Sequence, residues 1–555
     1  MIMERSDDQL SLAGLAGAVV LAFCAAAVVG HPPRTERTFA QDRVPMVTPS
    51  SAHARSGGNI VVRSTGGGPI RLGSGADGEM VDSGDRVVIQ VVPDVLEAAR
   101  TLSIPLSVNW RHPVAGLPCA NVLRFAERDR LGRSGPERIH TVLFADHGDL
   151  PVVSLVVPSG SLFDPDTGIM VVGNAILHAP KKVLITEYRD PRSWKYPGNF
   201  HMRGKAWERK GRMQYIDPEG YERFQSEVDV RINGQMTRSF PQHAFRLTFP
   251  DPVQVDFFDE PVGDGYGSIV LRAAGNDQIR AMLRDVFQHD LCAGLPFEVS
   301  GHRTCVLYLN GAYWGVHHIR PRMDETELAR RYDIRTEDIT ILEDEARLYR
   351  GDTMEVIRFE RLADRTDKWD GADEAWVDTL YKSMDVDGFL SYMATQMILA
   401  NMDWPSQNVK YWRYTGEPRP ERLLDGRWYF IMGDADLGYG VRSSANVDLF
   451  VRANALDVPI TKLLRGMLRN PGLRVKFIRT ARELATGPFS TARSLQRLEH
   501  IVGSMAPEME RHTARWRRPG SVAAWQAEVD VMRTFAKERE AAVLKQLDAF
   551  ERKGP

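Results

Sequence analysis

The sequence predicts an α+β fold, with a helical C-terminal part and a small all-β sandwich-like domain in front. Three observations carry that prediction. Short Val- and Ile-rich runs between Gly, Asp and Pro dominate residues 58–148. Strand-like and helix-like periods then alternate as far as about Tyr439, and after Asp457 nearly every stretch has helical spacing. A length of 555 residues and 43% apolar, 26% charged composition are those of an ordinary multi-domain globular protein. Seventy-one Lys and Arg against seventy-three Asp and Glu give a net charge of −2, so no global basic field would recruit nucleic acid. Four cysteines without C-x-x-C spacing make no disulfide framework or zinc site, and a Cys292–Cys305 bridge is the one pairing considered for an exported chain.

Leu10–Gly30 is an uncharged, mostly apolar run of 21 residues, long enough to span a bilayer as a helix and also suited to a signal peptide. We read residues 1–30 as a membrane-targeting segment, signal or anchor, which places the chain in the cell envelope or outside it. The flanks run against a standard signal, with Glu4, Asp7 and Asp8 before the run and Arg34, Arg37 and Arg43 after it. Residues 31–57 are polar, aperiodic and Pro/Ser-rich, and read as a tether. Within 58–148 the strand candidates are NIVVRST, DRVVIQVV, IPLSVNW, NVLRFAE and IHTVLF.

From residue 149 the strand candidates are VVSLVV, EVDVRI, AFRLTF, SIVLRA, CVLYLNG, VKYWRY and RWYFIMG. The helix candidates are IRAMLRDVFQHDLCAGL, DETELARRYDI and VDGFLSYMATQMILANM, followed by the helical stretch 456–555. Asn310-Gly311 is a β-hairpin turn signal. Tyr313 and Trp314 read as core residues, His317 and His318 as packed on opposite faces of a strand, and the basic run RHTARWRRPG at 511–520 as a solvated helix end.

The chemistry concentrates in NMDWPSQNVKYWR at 401–413 and GRWYFIMGDADLGYG at 426–440. An acid and an amide five residues apart, Asp403 and Asn408, follow a long apolar helix. Two apolar runs come next, the second ending in Asp434-Ala-Asp436 before a Gly-rich turn. Magnesium takes hard oxygen ligands from one or two carboxylates and leaves its other positions to water and phosphate. Phosphoryl transfer also needs a carboxylate to receive the proton of the attacking hydroxyl, and D-x-x-x-x-N is the spacing of protein-kinase catalytic loops. Read alone, the same residues would also serve as a turn cap, a left-handed Asn and a solvated acidic loop.

With these motifs in order, the chain resembles the CotH (spore-coat protein H) kinase family from about Leu150 to the C-terminus. The segments carrying the resemblance are PVVSLVVPSGSLFDPDTGIMVVG, VDVRINGQMTRSFPQHAFRLTF, IVLRAAGNDQIRAMLRDVF, VLYLNGAYWGVHHI with its N-G-x-Y-x-G-V signature, the two acidic segments, and AKEREAAVLKQLDAF. The resemblance implies an atypical protein-kinase-like two-lobe fold over 149–555. It also implies magnesium- or manganese-dependent transfer of the ATP γ-phosphoryl group to Ser or Thr hydroxyls of secreted or cell-surface proteins. Asp403 then looks like the catalytic-loop acid, and Asn408, Asp434 and Asp436 like metal ligands. Arg246, with Arg231 and Arg238 nearby, looks like the contact to the nucleotide phosphates. Three departures stand against it. Gln242-His243 replace the family's P-K-K lysines, Pro321 replaces an acid, and no G-x-G-x-x-G loop is present. Those departures favour one alternative, a catalytically silent surface-binding or scaffold protein; a second alternative is another metal-dependent phosphoryl-transfer enzyme at the same acids.

Overall fold

The computed structural model describes residues 44–178 and 197–553, with 115 and 130 excepted. The apolar segment 10–30 and residues 31–43 of the tether lie outside the described residues, none of whose helices is long and apolar enough to cross a membrane.

The first part comprises β1 (Met46–Thr48), β2 (Asn59–Arg63), β3 (Ile70–Ser74), β4 (Val81–Ser83), β5 (Arg86–Gln90), helix α1 (Val95–Leu102), β6 (Ala120–Glu127) and β7 (Arg138–Leu143). Two antiparallel sheets, β1-β2-β5 and β4-β3-β6-β7, share a core of Ile60, Val62, Ile70, Leu123, Phe125 and Val142. Two expectations differ here. Residues 46–48, inside the stretch read as a tether, pair with Val61–Arg63, and Ala52 bonds to Gly220 and Leu143. IPLSVNW forms turns instead of a strand. Pro105 has no N–H to give a ladder, and the stretch buries Leu106 after α1, whose N-terminus Asp94 caps through the Glu97 N–H.

The second part is a closed barrel. After β8 (Val152–Val156) and α2 (Ser159–Phe163) come β9 (Arg209–Ile216), β10 (Glu222–Asn233), β11 (Ala244–Val253), β12 (Tyr266–Arg272), α3 (Arg284–Leu291), β13 (Arg303–Leu309) and β14 (Ala312–Pro321). The strand order is β10-β11-β12-β14-β13-β8-β9, antiparallel except at β8–β13. Period-2 alternation sorts the faces: Val228, Val230, Ile232, Phe245, Leu247, Ile269 and Leu271 fill the interior, so Arg231 and Arg246 stand on the outer wall. Asn310 and Gly311 adopt positive φ at the β13–β14 turn, and Asn310 bonds both the N–H and the C=O of Val157 at 2.8 Å. The helix expected over IRAMLRDVFQHDLCAGL is shorter than its pattern. The Asp277 carboxylate accepts from the N–H groups of Ala281 and Arg284, and Met282 is left-handed, so regular helix begins only at Arg284.

The third part holds α4 (Glu325–Tyr332), β15 (Ile339–Glu343), β16 (Arg347–Arg350), α5 (Thr353–Lys368), α6 (Glu374–Ser383), α7 (Val386–Ile398), β17 (Val409–Tyr414) and β18 (Tyr429–Met432), with sheet order β16-β15-β17-β18. Helices α8 (Leu449–Ala455), α9 (Pro459–Met467), α10 (Pro471–Thr486), α11 (Thr491–Met505), α12 (Met509–Trp516) and α13 (Val522–Arg552) follow. Helix α7 is buried on nearly every side, as an all-round apolar helix must be.

The basic run at 511–520 is not a solvated helix end. Arg515 is fully buried, its guanidinium 4.4 Å from the Trp314 ring centroid and 3.9 Å from that of Trp516, while the Trp516 indole N–H donates to the Trp314 carbonyl at 2.8 Å. Gly315, the last glycine of N-G-x-Y-x-G-V, permits this docking: a Cβ there would lie 2.8 Å from His512 Nδ1 and 3.0 Å from Trp516 Nε1. Tyr313 and Trp314 are core residues, and His317 and His318 are both buried. Cys292 and Cys305 are free and sit in different cores, so no bridge forms between them.

Candidate functional site

Strands β17 and β18 pair with Val409 opposite Met432, which sets Asn408 opposite Gly433 at one end of the pair. The loop before β17 and the segment after β18 therefore meet. Asn408 is left-handed, with φ 61°. Gly433 lies so close to it that a Cβ would be 2.2 Å from the Asn408 carbonyl oxygen. Asn401 donates through Nδ2 to the Asp434 carbonyl at 3.2 Å and to Gln396 Oε1 at 3.0 Å, and the Met402 N–H donates to the Leu437 carbonyl at 3.4 Å. Asp403 is half-buried in the same loop, where its carbonyl accepts from the Gln407 N–H at 3.2 Å. Asp403, Asn408 and Asp434 thus lie on two adjoining segments that backbone and amide contacts hold together.

Asp434 and Asp436 differ in their surroundings. The Asp434 side chain is 28% exposed and receives Arg272 Nη2 at 2.6 Å; that of Asp436 is 2% exposed. Asp436 accepts from the Asn276 N–H at 2.6 Å and from Asn276 Nδ2 at 3.2 Å, so the segment after β12 already occupies both of its oxygens. Burial, and then the neighbouring Asp434, push the Asp436 carboxyl well above the ordinary range against the pull of Arg272. Asp285 closes the cluster from α3. It accepts from the Ala435 N–H at 3.0 Å, pairs with Arg320, and lies 3.3 Å from Arg272 Nε. Burial works to raise Asp285, but Arg320 and Arg272 hold it well below the carboxylate range. From the same helix Gln288 and His289 bond the Ala435 and Gly433 carbonyls at 2.6 and 3.0 Å. Where the resemblance would put an acid, Pro321 has none; Arg320 beside it pairs with Asp285 of α3.

A divalent cation fits this donor set in one form. No cluster of three His, Cys, Asp or Glu side chains that could hold a metal occurs among the described residues. Magnesium needs only one or two protein carboxylates. Asp434 is the partly open carboxylate and Asn408 stands opposite Gly433 at the strand end, while Asp436 is engaged by the Asn276 N–H and Nδ2 and by Arg272.

The three arginines named from the sequence converge. Arg231 and Arg246 are direct cross-strand partners on β10 and β11. With Arg238, Arg203 and Arg322 they line a cleft of about 190 Å³. Asn233 and Gly234 continue its wall into a smaller depression that reaches Arg272 and Gly275, next to Asp436. Arg238 donates to the carbonyls of Gly234 at 2.6 Å and Phe200 at 3.0 Å; Arg231 meets Glu208 at 3.2 Å. Burial, and then neighbouring cations, lower Arg238 to about 9 and Arg246 to about 10. Gln242 and His243, at the positions of the missing lysines, are buried and bonded to the carbonyls of Val316 and Met170.

The residues that sequence reasoning missed are Arg272, Asn276, Asp285, Arg320, Arg322 and Lys410. All six lie in or beside segments quoted above, but nothing in one sequence says that a strand-end arginine and a helix-start aspartate meet a loop about 160 residues away. Lys410 alternates outward on β17, and its ammonium reaches the Met323 carbonyl at 3.0 Å above the Tyr349 ring.

A family model described as CotH kinase protein matches residues 230–543. No curated protein matches the chain.

Proposed function

Because this chain belongs to the CotH kinase family, which indicates a kinase-like function with ATP and a divalent metal, we propose that it transfers the ATP γ-phosphoryl group to Ser or Thr hydroxyls of secreted or cell-surface proteins. The observation that carries this reading is the pairing of β17 with β18, which sets the Asp403–Asn408 loop against the Asp434 segment. Asn408 and Asp434 would hold magnesium or manganese, which would supply positive charge to the transferring phosphate. Arg246, Arg231 and Arg238 hold phosphate oxygens through charge-assisted hydrogen bonds. Asp403 takes the proton of the acceptor hydroxyl as its oxygen bonds to the γ-phosphorus. The bond to the β-phosphate oxygen breaks, and ADP leaves. Asp436 and Asp285 are positioning residues that fix the loop and Arg272. We place the protein in the cell envelope or outside it, delivered or anchored by residues 1–30.

One observation favours the silent-binding alternative. The Asp434 carboxylate is engaged by Arg272, which a metal would have to displace or share. Asp434→Asn separates the readings. It keeps the shape and can keep one hydrogen bond from Arg272 while losing the ion pair, and should abolish metal-dependent label transfer from γ-labelled ATP in a chain that still folds. Transfer at the wild-type rate would refute the proposed role.

A further inference from the structure

The wall of the arginine cleft is unlike that of a site that recognises a base. Pockets that bury organic ligands are lined mainly by apolar and aromatic side chains and measure about 300–1,000 Å³. This cleft holds about 190 Å³, and five guanidinium groups dominate its wall, from Arg203, Arg231, Arg238, Arg246 and Arg322. Its one aromatic ring, Trp207, already carries the Arg209 guanidinium 5.1 Å from its centroid.

Three of the five charges also lack a carboxylate partner among the described residues. Among the described residues, two carboxylates pair with these five groups, Glu208 with Arg231 at 3.2 Å and Asp324 with Arg322 at 2.7 Å. Arg203 and Arg238 reach only backbone carbonyls, and the buried Nε of Arg246 has no hydrogen-bond partner. Arg231 directly faces Arg246 across the β10–β11 ladder, where like charges destabilise a sheet. An anion bound between them would offset that repulsion. Guanidinium forks match phosphate oxygens in geometry as well as charge.

The cleft also runs toward the acids. Arg246 sits two residues along the ladder from the level of Arg272, which is roughly 7 Å of strand. A chain of three phosphates can extend from one to the other.

We infer that this cleft recognises the phosphoryl donor by its polyphosphate chain and leaves the base outside, so that inorganic tripolyphosphate and nucleoside triphosphates of any base compete for one site. The inference rests on reading the cleft as the donor-phosphate site and names the donor class that site accepts.

The test is calorimetric titration of the full chain, in magnesium buffer, with tripolyphosphate, ATP, GTP and adenosine. Tripolyphosphate, ATP and GTP should bind with dissociation constants within about tenfold of one another, a spread of about 1.4 kcal/mol, and adenosine should give no heat. The Arg231→Ala/Arg246→Ala pair should weaken tripolyphosphate binding by at least tenfold. If that pair fails to fold, Arg246→Gln alone should weaken it by a smaller but measurable factor. ATP binding more than tenfold tighter than both GTP and tripolyphosphate would overturn the inference, as would an undiminished affinity in a folded variant. Tripolyphosphate binding without any label transfer would leave this inference standing and remove the kinase reading. Transfer with binding restricted to ATP would do the reverse.

Discussion

Alanine at position 433 would put a methyl carbon 2.2 Å from the Asn408 carbonyl oxygen and 2.8 Å from its carbonyl carbon, where contacts under 3.0 Å do not occur. Both neighbours are backbone atoms, so no side chain can swing away to make room. The β17–β18 end must open by about 0.8 Å or more, and the gap that opens lies between Asn408 and the segment bearing Asp434. Misplacement of reacting groups by about 1 Å costs roughly 10²-fold in rate, whereas overpacking costs about 1–3 kcal/mol of stability. Gly433→Ala should therefore remain folded, with a melting temperature lowered by a few degrees, and lose about a hundredfold in magnesium-dependent label transfer from γ-labelled ATP. Mn²⁺ binding followed by electron paramagnetic resonance should weaken in parallel. A variant within about threefold of wild type in both transfer and Mn²⁺ affinity would refute the claim that the Asn408–Gly433 contact sets the metal site.

The Arg539 guanidinium, buried on α13, donates to the carbonyls of Met397, Ile398, Ala445 and Val447 at 2.6–2.8 Å and so closes the C-terminal end of α7 just before the Asp403 loop. Arg539→Met should cost about 3–5 kcal/mol in urea unfolding, the scale of breaking a buried charged network by removing one partner; a change below about 1 kcal/mol would contradict this. Burial lowers His140, His243, His317 and His318 to about 4 and His289 and His512 to about 3. Their folded values lie below 6.5, so the unfolded chain binds more protons. The stability they contribute is complete above pH 6.5 and is lost as pH falls toward 4 and then 3. Each should forfeit on the order of a kcal/mol by pH 5.5, and together they are a substantial fraction of a domain's stability. Calorimetry should find the melting temperature falling steeply below pH 6.5; a flat profile between pH 7 and 5 would contradict the buried-neutral assignment.

Local periodicity made most strands legible, because the barrel wall keeps one face apolar: AFRLTF and EVDVRI alternate residue by residue. It failed where a single side chain overrides the pattern. Asp277 captures the N–H groups that would extend α3 toward residue 279, and Pro105 interrupts IPLSVNW. The basic run at 511–520 misled because guanidinium stacking on Trp314 and Trp516 buries Arg515, a contact no charge count can anticipate. For the site, the spacing of Asp403, Asn408, Asp434 and Asp436 was readable because each pair lies close in sequence. The roles of Arg272 and Asp285 were not, since they depend on the barrel end and α3 meeting the loop after β18. The structure also distinguishes Asp434 from Asp436, which the D-x-D pattern treats alike, through the Asn276 amide that covers only the second.

The central claim is phosphoryl transfer at Asp434 and Asp403. The direct test incubates the wild-type chain and an Asp403→Ala/Asp434→Ala control with γ-labelled ATP, magnesium or manganese, and generic protein acceptors, and follows label into protein and into free phosphate. The account predicts metal-dependent label on Ser or Thr in the wild type alone. A folded wild-type chain that labels no acceptor, or a control that labels as well as wild type, would contradict it.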